Sequence, residues 1–102
     1  MKYIIFSETQ NKLVHLFHKV NEEFRDEIQK VARPELKTIL NDGREFRFFK
    51  DVDRARGLSP DMIIVDDFAD VDENNLLALA NGQYEKILYI DYEGIIDELR
   101  TT

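Results

Sequence analysis

A short apolar run, Met62 to Val65, leads directly into Asp66 and Asp67, and it constrains the fold more than any other feature of this sequence. Four apolar residues with no polar position between them predict a strand that is buried on both faces. Strands of this kind are typical of parallel sheets that are covered by helices on both sides. The two aspartates would then lie at the carboxyl end of the strand, where such domains bind their ligands.

Two further apolar runs, Tyr3–Phe6 and Ile87–Ile90, also predict buried strands. After the first of them, apolar residues recur with the spacing of one helix face. We expect a helix there that has Thr9 or Asn11 as its N-cap and is ended by Pro34. Its apolar stripe comprises Leu13, Leu16, Phe17, Val20, Phe24, Ile28 and Val31.

A β-hairpin is predicted over residues 36–49, because two β-like runs flank the turn sequence Asn41-Asp42-Gly43. In the second run, Phe46 and Phe48 alternate with Arg47. This alternation indicates a strand that is half-buried.

The remaining segments complete an α/β pattern. Residues 51–60 are polar and are predicted to form a loop, and Asp72 is expected to cap a short helix that ends before Gly82. A terminal helix is expected around residues 95–99. The order β-α-β-β-β-α-β-α predicts one α/β domain over residues 1–102, with three layers and a mixed, mostly parallel sheet between flanking helices.

Composition excludes several classes of protein. The chain has 102 residues, of which 43% are hydrophobic, and this is enough for one core. It contains no cysteine, which excludes disulfide frameworks and cysteine-ligated metals. No apolar run approaches the ~20 residues of a membrane span. The first residues lack the apolar region of a signal peptide, and we therefore expect a soluble, cytoplasmic protein that contacts no membrane.

The net charge of −7 is unevenly distributed along the chain. Residues 1–50 hold 10 Lys or Arg and 8 Asp or Glu, whereas residues 51–102 hold 4 and 13. An acidic half disfavours duplex nucleic acid as a ligand, because neutralising phosphates requires clustered Lys and Arg. It is either a solvated surface or a face that meets a basic partner.

One long segment resembles a known family. Residues 36–68 contain the hairpin, then Arg56-Gly57-Leu58, then Pro60-Asp61 before the strand that ends in Asp66-Asp67. This order resembles the Walker B half of the ATPase core of phage large terminases. The opening stretch, residues 3–20, is similar to the strand and helix that lie between Walker A and Walker B in these and other helicase-like motors. The resemblance covers about residues 3–90 and implies a partial P-loop-NTPase-like (RecA-like) core.

The resemblance also implies roles for two acids. Asp66 would hold Mg²⁺, and Asp67 would polarise the attacking water, at a position where the family usually has Glu. However, no glycine of this chain is followed by Lys-Ser or Lys-Thr, so the phosphate-binding Walker A loop is missing from the sequence. We therefore expect the chain alone to be catalytically inactive. Asp67 would act only together with another chain that bears a Walker A loop.

Carboxylates and histidines suggest two further metal sites. Five acids within eight residues could hold a hard cation weakly, although they also suit strand ends and helix caps; they are Asp66, Asp67, Asp70, Asp72 and Glu73. His15 and His18 could share one helix face, but no third ligand is evident. Apart from weakly held Mg²⁺, no cofactor is expected.

Two arginines suggest a contact site. Arg54 and Arg56 flank the acidic strand and could grip a phosphate or a partner's carboxylate. The alternative is an internal ion pair with Asp51, Asp53 or Asp66.

Three functional hypotheses follow. The first is a small phage or prophage protein, in the host cytoplasm, that has lost nucleotide chemistry. It acts by binding a protein partner or a second copy of itself through an exposed sheet edge or an apolar face. The second is a subunit that supplies Walker B acids in trans to an ATPase. The third is an acidic inhibitor of a host enzyme such as a defence nuclease.

Overall fold

The first strand of the chain lies in the interior of a six-stranded sheet in the computed structural model, which describes residues 1–67 and 69–101. Phe68, the last residue of the terminase-like segment, and Thr102 lie outside the described residues. The strands are β1 (Lys2–Phe6), β2 (Ile28–Ala32), β3 (Lys37–Leu40), β4 (Glu45–Phe49), β5 (Met62–Asp66) and β6 (Ile87–Ile90). The α-helices are α1 (Gln10–Glu23), α2 (Val52–Ala55), α3 (Glu73–Leu79) and α4 (Ile95–Thr101).

The strand order is β2-β3-β4-β1-β5-β6. β1 pairs in parallel with β4 on one side and β5 on the other, and β6 continues the parallel arrangement. β3 is antiparallel to both of its neighbours. The prediction of an α/β domain with a mixed, mostly parallel sheet is therefore confirmed.

Each face of the sheet carries its own apolar core. Tyr3 and Ile5 of β1 face α1 and α4, whereas Ile4 and Phe6 face α2 and α3. All four side chains are buried, as the apolar run predicted. The alternation of side chains along a strand thus produces three layers, with helices above and below the sheet.

The predicted first helix was wrong in its second half. α1 ends at Glu23, and residues 28–32 form the edge strand β2, which pairs antiparallel with β3. Ile28 and Val31 fit a helical stripe by their spacing, but pairing with β3 satisfies their backbone groups instead. Pro34 lies in the turn between β2 and β3 and does not end the helix.

Most of the other predicted elements are confirmed. The strand at Ile87–Ile90 forms, but the prediction that it is buried was wrong, because β6 lies at the edge of the sheet and is only partly buried. Thr9 accepts a hydrogen bond from the Lys12 backbone N–H at 3.1 Å, and Asp72 accepts one from Asn74 at 2.7 Å, so both act as N-caps. The hairpin turn contains Gly43 at φ +93°, in the left-handed region that favours glycine. The segment 51–60, predicted to be a loop, contains the short helix α2.

Within the described ranges, no helix is long and apolar enough to cross a membrane.

Candidate functional site

The carboxyl ends of β1 and β5 meet at the point where the chain changes direction across the sheet. After β1 the chain crosses one face through α1 towards β4, and it then crosses the other face through α2 to reach β5. Parallel α/β sheets bind ligands at this kind of switch point. Ser7, directly after β1, and Asp66, the last residue of β5, occupy it.

Ser7 and Asp66 form a buried polar pair. The Ser7 hydroxyl donates to Asp66 Oδ2 at 3.0 Å, and the two residues are 2% and 0% exposed. Nearby, Lys12 Nζ lies 2.8 Å from Glu8 Oε2; this hydrogen bond is the main reason that the pKa of Lys12 is raised, and the charge of Asp66 adds to it. The Ser7–Asp66 hydrogen bond therefore links the carboxyl ends of β1 and β5, close to the N-terminus of α1.

Asp66 and Asp67, to which the resemblance gives the roles of magnesium ligand and catalytic base, have different environments. Asp66 is buried, whereas Asp67 is exposed and its backbone N–H donates to the Ile90 carbonyl at 3.2 Å. Nowhere in residues 1–67 and 69–101 do three His, Asp or Glu side chains come together as ligands of one metal ion. Of the five acids between 66 and 73, Asp72 serves as the cap of α3.

The two histidines contact aromatic rings. The His15 ring stacks on Tyr92 with centroids 6.2 Å apart, and the His18 ring lies 5.6 Å from that of Phe17. Both histidines are exposed on α1.

Arg54 and Arg56 line one groove of about 930 Å³. Arg56 pairs with Asp53 at 3.0 Å, which is one of the internal pairs that the sequence allowed. Arg54 is exposed and has no ion pair among the described residues. We call this the basic groove; its cationic residues are Arg33, Arg47, Lys50, Arg54 and Arg56. The sequence did not suggest Arg33, because only the fold brings the β2–β3 turn to α2.

A third surface lies at the outer edge of the sheet. β6 is its last strand, and the large side chains of Tyr84 and Tyr89 are 60% and 51% exposed. Burial of the Tyr89 hydroxyl raises its pKa, and the negative charge of Glu73 raises it further. We call β6 with these two tyrosines the tyrosine edge.

Tyr92 gives the fold a dependence on alkaline pH. Its hydroxyl donates to the Lys12 carbonyl at 3.4 Å, and its burial raises its pKa above the usual 10.0. Because the folded state holds this proton more tightly than the unfolded state, the associated stability is present below about pH 10 and lost as the pH rises through the folded pKa. We expect the urea midpoint to fall more steeply above about pH 10 in the wild type than in Tyr92→Phe. Parallel curves for the two proteins would contradict this role of Tyr92.

The described residues therefore contain three candidate sites: the buried Ser7–Asp66 pair, the basic groove and the tyrosine edge. The pair is inaccessible as it stands, whereas the other two are open to solvent. The chain matches no family model, and no curated protein or solved structure is significantly similar to it. Its function is therefore inferred from these sites.

Proposed function

We propose that this chain is a small phage or prophage protein with a degenerate motor-ATPase-like fold, and that it acts without catalysis by binding a protein partner. The observation that carries the proposal is the tyrosine edge. The terminase-like order of hairpin, Arg-Gly-Leu and acidic strand supports the fold part of the proposal. The missing Walker A loop and the burial of Asp66 against Ser7 support the loss of nucleotide chemistry.

The edge strand offers backbone groups to a partner. Within the described part of the chain, β6 pairs with β5 alone, so the groups on its other side face outward. Such an edge is a template for the addition of an extended segment from another protein. Tyr89 stands on the strand and Tyr84 just before it, and exposed tyrosines of this kind are enriched in protein interfaces.

Charge narrows the chemistry of the partner. Exposed acids surround the edge strand. Glu85 precedes β6, Asp91 and Glu93 follow it, and Glu73 lies on the neighbouring α3. A second copy of the chain, itself at −7, would be repelled by this surface. We therefore propose that the partner presents an extended, Lys- and Arg-containing segment, which also explains why the second half of the chain is acidic.

Peptide selection tests this proposal directly. From a random library of peptides of about twelve residues, the purified chain should select basic sequences with β-branched residues in alternation. When the chosen peptide binds, amide hydrogen exchange should slow in residues 84–91 because the edge backbone becomes hydrogen-bonded. The double variant Tyr84→Ser/Tyr89→Ser should bind this peptide about tenfold more weakly, a change of roughly 1.4 kcal/mol.

A matched control separates the edge from general surface effects. His18→Ser/Glu22→Ser removes two exposed side chains from α1 and should leave the affinity unchanged. Equal weakening by both double variants would contradict the proposal. So would peptide protection confined to residues 33–36 and 47–50, or a selection that enriches acidic sequences.

A further inference from the structure

We infer that the basic groove binds a single strand of nucleic acid through its phosphates. This site goes beyond the proposed function, because it lies on the opposite part of the sheet from the tyrosine edge. β1 and β5 separate β4, at the groove, from β6. At the usual spacing between strands this separation is about 14 Å.

Cations from three separate segments converge on the groove. Arg33 comes from the turn after β2, Arg47 and Lys50 come from β4 and the residue that follows it, and Arg54 and Arg56 come from α2 and its C-terminal end. Two acids, Glu35 and Asp51, also line it. Five of the 14 Lys and Arg residues thus line one groove, although the net charge of the chain is −7. Such a concentration attracts anions.

Of these five cations, two form ion pairs and three form none within the part of the chain that the structure describes. Arg47 pairs with Glu45 at 2.7 Å and Arg56 with Asp53 at 3.0 Å. Among residues 1–67 and 69–101, by contrast, no carboxylate forms an ion pair with Arg33, Lys50 or Arg54. All three are exposed, so their charges remain available to a ligand.

The groove wall is held in place by backbone contacts. The Phe48 N–H donates to the Leu36 carbonyl at 3.1 Å, and the Leu36 N–H donates to the Arg33 carbonyl at 3.1 Å. Leu36 has φ +48°, a strained conformation for a residue with a branched side chain. The turn that carries Arg33 is therefore fixed against β4, and strain of this kind is concentrated at ligand-binding sites.

The groove is large enough for several nucleotides, and its lining suits a single strand of nucleic acid. About 930 Å³ is near the upper end of the ~300–1,000 Å³ range of small-molecule pockets. The half-buried ring of Phe49 lines it beside the arginines, and aromatic and guanidinium planes are the surfaces on which bases stack.

A duplex is disfavoured by the neighbouring cleft. Beyond Lys50 that cleft is lined by the acids Asp51, Asp53, Asp70 and Asp72. These carboxylates would repel the second phosphate backbone of a duplex.

The test is fluorescence anisotropy with a labelled oligothymidylate of about twelve nucleotides at low salt. Lys50→Gln/Arg54→Gln should weaken binding about tenfold and reduce the slope of log K against log salt by about 1.4, because two phosphate contacts are lost. The matched control, Lys30→Gln/Arg25→Gln, removes one exposed Lys and one exposed Arg outside the groove and should change the affinity less than about twofold. Circular dichroism confirms that each variant is folded.

Competition identifies the ligand class. Unlabelled single strand should displace the probe, whereas duplex of equal length and ADP should do so only at much higher concentration. Displacement by ADP at equal concentration would replace the single strand by a mononucleotide and overturn the inference. Equal displacement by poly-glutamate would indicate a site for acidic peptides. A molar mass above that of one chain, measured by light scattering without ligand, would indicate a second copy in the groove. Either result, or equal weakening by the two double variants, would also overturn it.

Discussion

Phe46→Ala is expected to lower the free energy of unfolding by about 3–5 kcal/mol. Phe46 is 0% exposed, and its ring lies 5.2 Å from that of Tyr3 and 5.5 Å from that of Phe24. Truncation would leave a cavity between β1, β4 and the C-terminal end of α1, where the sheet and the helix close on each other. Natural domains have a total stability of about 5–15 kcal/mol, so this loss would bring the variant close to unfolding.

Urea denaturation followed by circular dichroism measures this loss. Phe49→Ala serves as the control, because Phe49 is only half-buried and its removal should cost clearly less. Phe46→Leu keeps most of the apolar volume and should recover the larger part of the stability. If Phe46→Ala and Phe49→Ala were equally stable, Phe46 would not be at the centre of the core.

Ser7→Ala is expected to lower the free energy of unfolding by about 1.5–3 kcal/mol. The Ser7 hydroxyl donates to the Asp66 carboxylate at 3.0 Å, and both groups are shielded from water. Removing the donor takes a hydrogen bond from a buried carboxylate, and water cannot replace it without opening the end of the sheet.

A double-mutant cycle measures the coupling between the two residues. Ser7→Ala, Asp66→Asn and the double variant are compared by urea denaturation, with the exposed Ser59→Ala as the control. The double variant should lose less stability than the sum of the two single variants, because each single change already breaks the same contact. Strict additivity would mean that the hydrogen bond contributes nothing.

Local sequence patterns predicted the elements whose causes are local. The run Met62–Val65 became a strand buried on both faces, because no position within it favours solvent. The Asn41-Asp42-Gly43 turn formed as expected, since its Gly adopts the left-handed conformation that the turn requires. Asp72 capped α3 because its short carboxylate reaches the first backbone N–H groups of the helix.

Features that depend on contacts between segments far apart in the chain could not be predicted from the sequence. Ile28 and Val31 suit either a helix face or a strand. They form a strand because their backbone groups pair with those of β3. Arg33 and Arg54 are remote in the chain, so their meeting in the basic groove follows from the strand order alone. The tyrosine edge likewise depends on β6 being the last strand, which no local pattern specifies.

The interior position of β1 determines when this protein can fold. Its neighbours β4 and β5 lie far along the chain, and Tyr3 aligns with Phe46 on one side and Met62 on the other. During synthesis the first strand must therefore wait until Asp66 has left the ribosome before its second flank is covered. Pairings between residues so far apart in the sequence raise the contact order and slow folding, and until they form the apolar first strand stays exposed to chaperones.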